Sequence, residues 1–346
     1  VDHLVVDVHA HLWAAEVETM ARTLPGHAER IALDLRRLGP LSAKTAADRF
    51  VNELPLLVDV NRRLAAMTAA GVDVQVVSVT PTQYHHWITD PGAARDLARL
   101  THEAVAGHCV RRSGRLTGLG VVPQQFPEWT VEALDDALTR GLRGVEIATH
   151  APDPCGGPPI ELSDRRYDDL WARAAERGAV IFVHPGGCTL DERLAHWYLA
   201  NSVGQLVEHA VALSHLIVGG VLERFPGLTV LAAHGGGHLP AMTSRADHAW
   251  HARREARTTQ LPPSEYLSRL YVDSLVYEPA ALRRLVDALG TERVLLGSDF
   301  PFDMGVPDPA ERLRAVGLDV VATAAIAGGT AARIGLVPAS ASQSDR

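Results

Sequence analysis

The first apolar run of the chain ends in Asp7-Val8-His9-Ala10-His11. Side chains two apart on a strand share a face, so a strand here aims His9 and His11 to the same side, where two imidazoles can share one cation. Taken alone, the His-x-His spacing fits equally well a histidine that only hydrogen-bonds in a core. Three later apolar runs end in the same manner. One is Ile181-Phe182-Val183-His184-Pro185, the second is Ala232-Ala233-His234 followed by three glycines, and the third is Leu296-Gly297-Ser298-Asp299-Phe300-Pro301. A buried histidine or aspartate is costly unless it is paired or bound to metal. Three imidazoles and one carboxylate suit a single borderline divalent ion with room for water: Zn2+ by first choice, with Fe2+, Mn2+ or Co2+ compatible.

Composition narrows the chemistry further. Among 346 residues there are 17 histidines but a single lysine, Lys44. A Schiff base, or a metal pair bridged by a modified lysine, therefore has only Lys44 to use, and it lies in a Pro/Gly/Ala-rich stretch. Cys109, Cys155 and Cys188 are odd in number and lack CxxC spacing, which indicates neither a disulfide framework nor a thiolate zinc site. A net charge of −8 argues against nucleic acid as a partner. No uncharged apolar run approaches the ~18–20 residues that cross a bilayer, and Val1 to Leu12 lacks the cationic start of a secretory signal. A cytoplasmic protein without a membrane partner is expected.

The elements that must position these residues follow from period and punctuation. Eight short β-branched runs, Leu4–His11, Val72–Val79, Arg115–Val122, Gly144–Thr149, Ala179–His184, Leu228–His234, Leu270–Ser274 and Arg293–Ser298, read as strands. Helical spacing marks Arg62–Ala70, Ala93–Arg112, Thr130–Arg140, Tyr167–Arg177, Val203–Phe225, Leu239–Arg254 and Pro279–Leu289 between them. Gly71, Gly141, Gly178, Gly227 and Gly290 stand where left-handed helix C-caps are expected. Near-continuous apolar strands suit a parallel sheet covered on both faces, so the expected fold is α/β, a closed (β/α)8 TIM-like barrel with an insertion after the first strand. An open doubly wound sheet is the alternative, but its early GxGxxG fingerprint is absent. Residues 1–337 are expected to form one barrel domain, with 13–59 an inserted lid-like segment or a plain surface excursion, and 338–346 a frayed tail. The four chemistry-bearing runs then all end at the C-terminal mouth, where barrel enzymes place their sites.

In chain order, His9-x-His11, His184-Pro185, His234-Gly-Gly-Gly and Gly297-Ser298-Asp299-Phe300-Pro301 resemble the amidohydrolase superfamily. Gly144-Val145-Glu146-Ile147-Ala148-Thr149-His150 and Val218-Gly219-Gly220-Val221-Leu222-Glu223-Arg224-Phe225-Pro226 extend the resemblance, from about Val5 to Leu336, to its aminocarboxymuconate semialdehyde decarboxylase-like branch. The resemblance implies that His9, His11, His184 and Asp299 hold the metal. It further implies that His234 is the acid or base acting on metal-bound water, direct ligation by His234 being the competing role. Two substrate-binding arginines are implied as well: Arg245, supplied across the interface of a homodimer, and Arg49 within the same subunit, with Arg62 and Arg63 as alternatives whose expected fate is helical solvation. A planar guanidinium orients a carboxylate through two parallel hydrogen bonds, which suits a substrate that must lose one carboxylate and keep another.

The chain departs from the branch at Gly186, where the pattern has tryptophan, at Asn201, where it has a further aromatic, and at Tyr198, which replaces another tryptophan beside Trp197. Glycine removes a large apolar wall and opens room for a bulkier ring or a polar group. His85, His86, His248 and His251 read as solvated, Cys188 as a loop residue near His184, and Asp273 and His150 as support for the ligands rather than ligands. The expected activity is that of a metal-dependent, non-oxidative decarboxylase, a carbon–carbon lyase, of a small carboxylated muconate-semialdehyde-like or aromatic acid. The alternatives are a lactone or amide hydrolase or a hydratase built from the same residues, and a metal-binding scaffold without activity.

Overall fold

The structure is a computed structural model that describes residues 4–112, 114–187 and 189–338. All eight expected strands form: β1 (Val6–Leu12), β2 (Val74–Val79), β3 (Leu116–Gly118, continued by Gly120–Val121), β4 (Gly144–Ile147), β5 (Val180–Val183), β6 (Thr229–Ala232), β7 (Tyr271–Asp273) and β8 (Val294–Leu295). Neighbours pair in parallel from β1 through β3 and from β3 through β8. The ring closes where Val8 N–H donates to Leu296 O (2.9 Å), His11 N–H to Phe300 O (2.8 Å) and Asp299 N–H to His9 O (2.8 Å). The α/β barrel expected from the alternation is therefore the fold.

Two apolar layers result from the alternation of each strand. Val6, Val8, Val74, Val76, Leu119, Val180, Phe182, Leu231 and Leu295 pack together inside the barrel. Ala10, Leu12, Val77, Ile181 and Val230 face outward against the helices, among them Trp171. In β1 the register shifts between Asp7 and Ala10, so that Val8 and His9 together oppose Val76. Such a bulge changes the phase of a strand. Below it Val6 and Val8 face the interior, and above it His9 and His11 do.

The helices lie close to their expected positions. After β1 come α1 (Ala15–Ala21), α2 (His27–Leu38) and α3 (Pro40–Val58), which together fill the inserted segment, followed by α4 (Val60–Ala69), whose N-cap Asp59 accepts from the Asn61 and Arg62 amides. Lys44 lies on α3, exposed and paired with Asp48 at 2.5 Å, which removes it from any site chemistry. Next are α5 (Pro91–Val110), opened by an Asp90 cap with Pro91 at the first position, α6 (Thr130–Thr139) and α7 (Asp168–Arg177). The single helix expected over 203–225 is instead a π turn (Ala200–Gln205), α8 (Leu206–Val218) and α9 (Val221–Arg224). Gly219-Gly220 breaks it, and Gly220 takes the positive φ (+74°) that the sequence assigned to Gly227. Gly71, Gly141, Gly178 and Gly290 do have positive φ. Then follow α10 (Leu239–Ala252), α11 (Pro263–Leu267) and α12 (Pro279–Leu289). No helix among the described residues is long and apolar enough to cross a membrane. The expected tail lies outside the described residues except for Pro338, and Cys188 lies outside them too.

Candidate metal centre

His9, His11, His184 and Asp299 converge at the C-terminal end of the barrel, all buried, with one donor atom from each within 4.8 Å of all the others. The hydrogen bonds on the far side of each ring decide what these atoms offer. His9 Nδ1 donates to Asp273 Oδ2 (2.7 Å), His11 Nδ1 to the Val79 carbonyl (3.1 Å) and His184 Nδ1 to the Pro185 carbonyl (3.0 Å). A neutral imidazole that donates through Nδ1 presents a bare lone pair at Nε2. Three such lone pairs face inward. His9 Nε2 and His11 Nε2 are only 3.2 Å apart, and both lie near Asp299 Oδ1, at 3.4 and 3.3 Å. His184 Nε2 is buried and has no hydrogen-bond partner among the described residues. Opposed lone pairs and an orphaned buried nitrogen beside a carboxylate fit a divalent cation, with tautomers already set for ligation.

The charge balance agrees. Burial lowers the affinity of His9 for a proton, but the carboxylates of Asp299 and Asp273 outweigh it and raise its pKa to about 9. Burial, reinforced by the charges of His234, His9 and His11, drives His184 well below the usual histidine range. Against its own desolvation, Asp299 is held far below the ordinary carboxylate range by His9 and by hydrogen bonds from His11 and His234. Positive charge is thus favoured between the rings, and it is His9 rather than His184 that takes it up when a proton supplies it.

His234 follows β6, the neighbour of the strand that precedes His184, and is buried. Its Nε2 lies 3.8 Å from Asp299 Oδ2, and its Nδ1 contacts His209 Nε2 at 3.1 Å. His209 comes from α8, is fully buried, and is kept neutral by desolvation and the neighbouring His234 charge. His234 and Asp299 both adopt left-handed backbone conformations, φ +53° and +59°. Outside glycine this conformation is uncommon and costs of order 1–3 kcal/mol, a strain typical of functional positions. The glycines of the two motifs have steric reasons. A Cβ at Gly237 would stand 2.4 Å from the Leu206 carbonyl oxygen, and one at Gly297 would stand 2.8 Å from Asp273 Cβ and 3.1 Å from His9 Cβ.

The support for these groups came only partly from the sequence. Asp273, expected to support the ligands, does so by accepting from His9, and its other oxygen also accepts from the Gly235 amide (2.8 Å). His150, expected in the same capacity, pairs instead with Glu208 (3.5 Å), which holds Thr189 after β5. Arg63, read as solvated, is fully buried. It donates to the His11 carbonyl (2.5 Å), to Gln75 Oε1 (2.6 Å) and to His108 Nε2 (3.1 Å), so it fixes β1 and is no substrate binder. Arg62 is exposed. The roles of His209, Arg63 and Glu146 were missed because each depends on a partner distant in the chain. Glu146, inside the barrel on β4, accepts from Ser78 and from the Tyr84 hydroxyl.

The arginines differ. Arg49, on α3, pairs with Asp303 (3.1 Å) and Glu53 (3.4 Å), and burial, followed by the charges of Asp303, Asp299 and Glu53, raises the half-buried Tyr198 hydroxyl to about 12. Arg49 is thus engaged by two acids whose charges, like that of Asp299, act on Tyr198. Arg245 is exposed on α10 and forms no ion pair among the described residues. Trp197 is 87% exposed, and Asn201 lies in the π turn. His248 and His251 are solvated as read, but His85 is buried, and burial lowers its pKa to about 4.

Residues 6–334 match the amidohydrolase family. A 2-amino-3-carboxymuconate-6-semialdehyde decarboxylase of Dictyostelium discoideum is 31% identical over 75% of this chain and 71% of its own length. The 5-carboxyvanillate decarboxylase of Sphingomonas paucimobilis superposes with a TM-score of 0.81 at 24% identity, over 97% of this chain and all of that one. The corresponding enzyme of Novosphingobium aromaticivorans, solved with manganese and 4-hydroxy-3-methoxy-5-nitrobenzoic acid, gives 0.80 at 21% identity, over 96% of each chain.

Proposed function

The chain belongs to the amidohydrolase family, and on that premise we propose that it is a metal-dependent, non-oxidative decarboxylase of a small carboxylated aromatic or muconate-semialdehyde-like acid. The observation that carries this reading is the convergence of His9, His11, His184 and Asp299, with every histidine Nδ1 engaged outward and Nε2 left for a cation. These four side chains would hold the ion. A divalent cation there supplies Lewis acidity and lowers the pKa of water it holds from 15.7 toward ~7. The donor set suits zinc, and the manganese of the Novosphingobium aromaticivorans relative makes that ion the first alternative.

Decarboxylation breaks a carbon–carbon bond, leaves the electron pair on carbon and requires a proton there as CO2 departs. His234 is the group for that transfer, since its Nε2 faces Asp299 while His209 holds Nδ1. When His234 is protonated, its Nδ1–H donates to His209 Nε2 and its Nε2–H points toward the site, so giving the Nε2 proton to carbon leaves a neutral imidazole. Asp299 stabilises the positive charge that His234 carries before the transfer and regains when it takes up a proton from solvent. Arg49 orients the carboxylate that remains, exchanging part of its pairing with Asp303 for the substrate. Arg245, exposed on α10, serves the site of a second copy in a homodimer. Residues 1–337 work as one catalytic unit with segment 13–59 over its mouth.

Purified protein reconstituted with Zn2+ or Mn2+ and supplied with 2-amino-3-carboxymuconate-6-semialdehyde, 5-carboxyvanillate and 2,6-dihydroxybenzoate is expected to release CO2 from at least one. A chelator should abolish release, and added metal should restore it. Lactone opening without CO2 release from any of the three acids overturns the reading.

A further inference from the structure

The room that Gly186 leaves beside His184 is already taken. A Cβ on Gly186 would stand 3.3 and 3.5 Å from Cδ2 and Cε2 of Tyr84 and 3.7 Å from Ala148 Cβ, so the Tyr84 ring lies directly over this glycine. The φ of Gly186 is not in the left-handed range, and the atoms nearest to that Cβ belong to Tyr84 and Ala148. Any side chain longer than a methyl at 186 therefore competes with Tyr84 for one volume.

Tyr84 is held there from three directions. Its hydroxyl donates to the buried Glu146, which also accepts from Ser78 and lies near enough to His11 and His9 for their charges to act on it. One face stacks on His86, with ring centroids 5.5 Å apart and planes at 25°. The turn that carries it, Pro81–Gln83, is pinned to the chain just beyond β1, because Gln83 accepts from the Ala14 amide and donates to the Ala14 carbonyl, both at 2.9 Å. A tyrosine ring so fixed beside a metal-binding motif is a rigid wall.

We propose that Tyr84 is the specificity-determining wall of the substrate cavity, supplied by the turn after β2 in place of a side chain at 186. Instead of the enlarged cavity that glycine alone suggests, the enzyme has a cavity with the aromatic face moved to another strand. It admits a single planar carboxylated ring and excludes a second fused ring on the β2–β5 side. This inference rests on the decarboxylase reading for the kind of ligand, but its test does not depend on turnover.

Metal-loaded protein is titrated calorimetrically with salicylate and with 1-hydroxy-2-naphthoate, with metal content and thermal unfolding checked for each variant. Wild type is expected to bind salicylate at least ~10-fold more tightly, about the discrimination one apolar wall provides. Tyr84→Phe, which retains the ring, should keep that preference, whereas Tyr84→Ala should reduce or invert it. Gly186→Trp should lose both ligands, and the double variant Gly186→Trp/Tyr84→Ala should regain salicylate, as two groups sharing one volume require. An unchanged ratio in Tyr84→Ala, or wild-type binding by Gly186→Trp alone, overturns the proposal. So does failure of wild type to bind either probe. If the ratio shifts as expected while no acid releases CO2, the wall stands and the assigned reaction falls.

Discussion

Two populations of buried histidine occupy this molecule. Those of the centre, His9, His11 and His184, each spend Nδ1 on a neighbour and turn Nε2 toward the same carboxylate. Those of the helical layer are satisfied singly or not at all. His102 donates through Nδ1 to Asp136 (2.7 Å) and accepts at Nε2 from the Val121 amide (3.2 Å), His108 accepts from Arg63, and neither nitrogen of His85 has a partner among the described residues. Burial is equally deep in both, so burial does not distinguish them. In the outer layer desolvation wins and the rings stay neutral, with His85 lowered to about 4 and His108 to about 3. In the centre carboxylates reverse the balance for His9, raising it to about 9. Convergence of lone pairs upon negative charge, not burial of imidazole, marks a cation site.

The sharpest way to break this contrast is to remove the shared carboxylate. Asp299→Ala is expected to leave less than about a tenth of the wild-type metal content, read by elemental analysis, because three neutral rings lose the charge that gathers them. Near-stoichiometric metal would place the site elsewhere. His234→Asn, chosen because asparagine tolerates the left-handed backbone, should retain metal and lose about 10²–10⁴-fold in CO2 release, the usual contribution of a positioned acid–base group. Loss of metal instead would make His234 a ligand. Asp273→Asn should weaken metal binding about 10–100-fold, measured by competition with a chromogenic chelator, since it touches the ion only through His9.

The outer layer gives the smallest and opposite signal. His85 has its folded pKa depressed from 6.5 to about 4, so it contributes stability above pH 6.5 that is lost as pH falls toward 4. At pH 5 the loss is about 2 kcal/mol, from the unfolded chain binding a proton that the folded one refuses. His85→Asn, compatible with φ +53°, should flatten the decline in unfolding free energy between pH 6.5 and 5. An undiminished slope would show that this ring is hydrated and titrates normally.

Strand-borne features were legible because they are periodic. Apolar runs that end in His184, His234 or Asp299 announce both the strand and its mouth, and the glycines of the two motifs follow from the approach of Leu206, Asp273 and His9. Residues whose role depends on distant chain were not. His209 sits in an apolar helix, Arg63 in a helix that reads as amphipathic, and Tyr84 in a polar turn, and each is given its function by a partner at least 25 residues away. His150 was misassigned for the same reason, since its partner Glu208 arrives from α8. The period-two argument for His9 and His11 reached the right face, but by itself it would also have placed Val6 and Val8 on the opposite one, because it contains no register shift.

That extra residue in β1 has a consequence for transplantation. The core valines and the two donors are separated by an odd offset, Val6 to His9, so their phases are independent. Grafting His-x-His onto a regular barrel strand by alternation alone would seat the imidazoles outside, among the helices. The offset must travel with the donors.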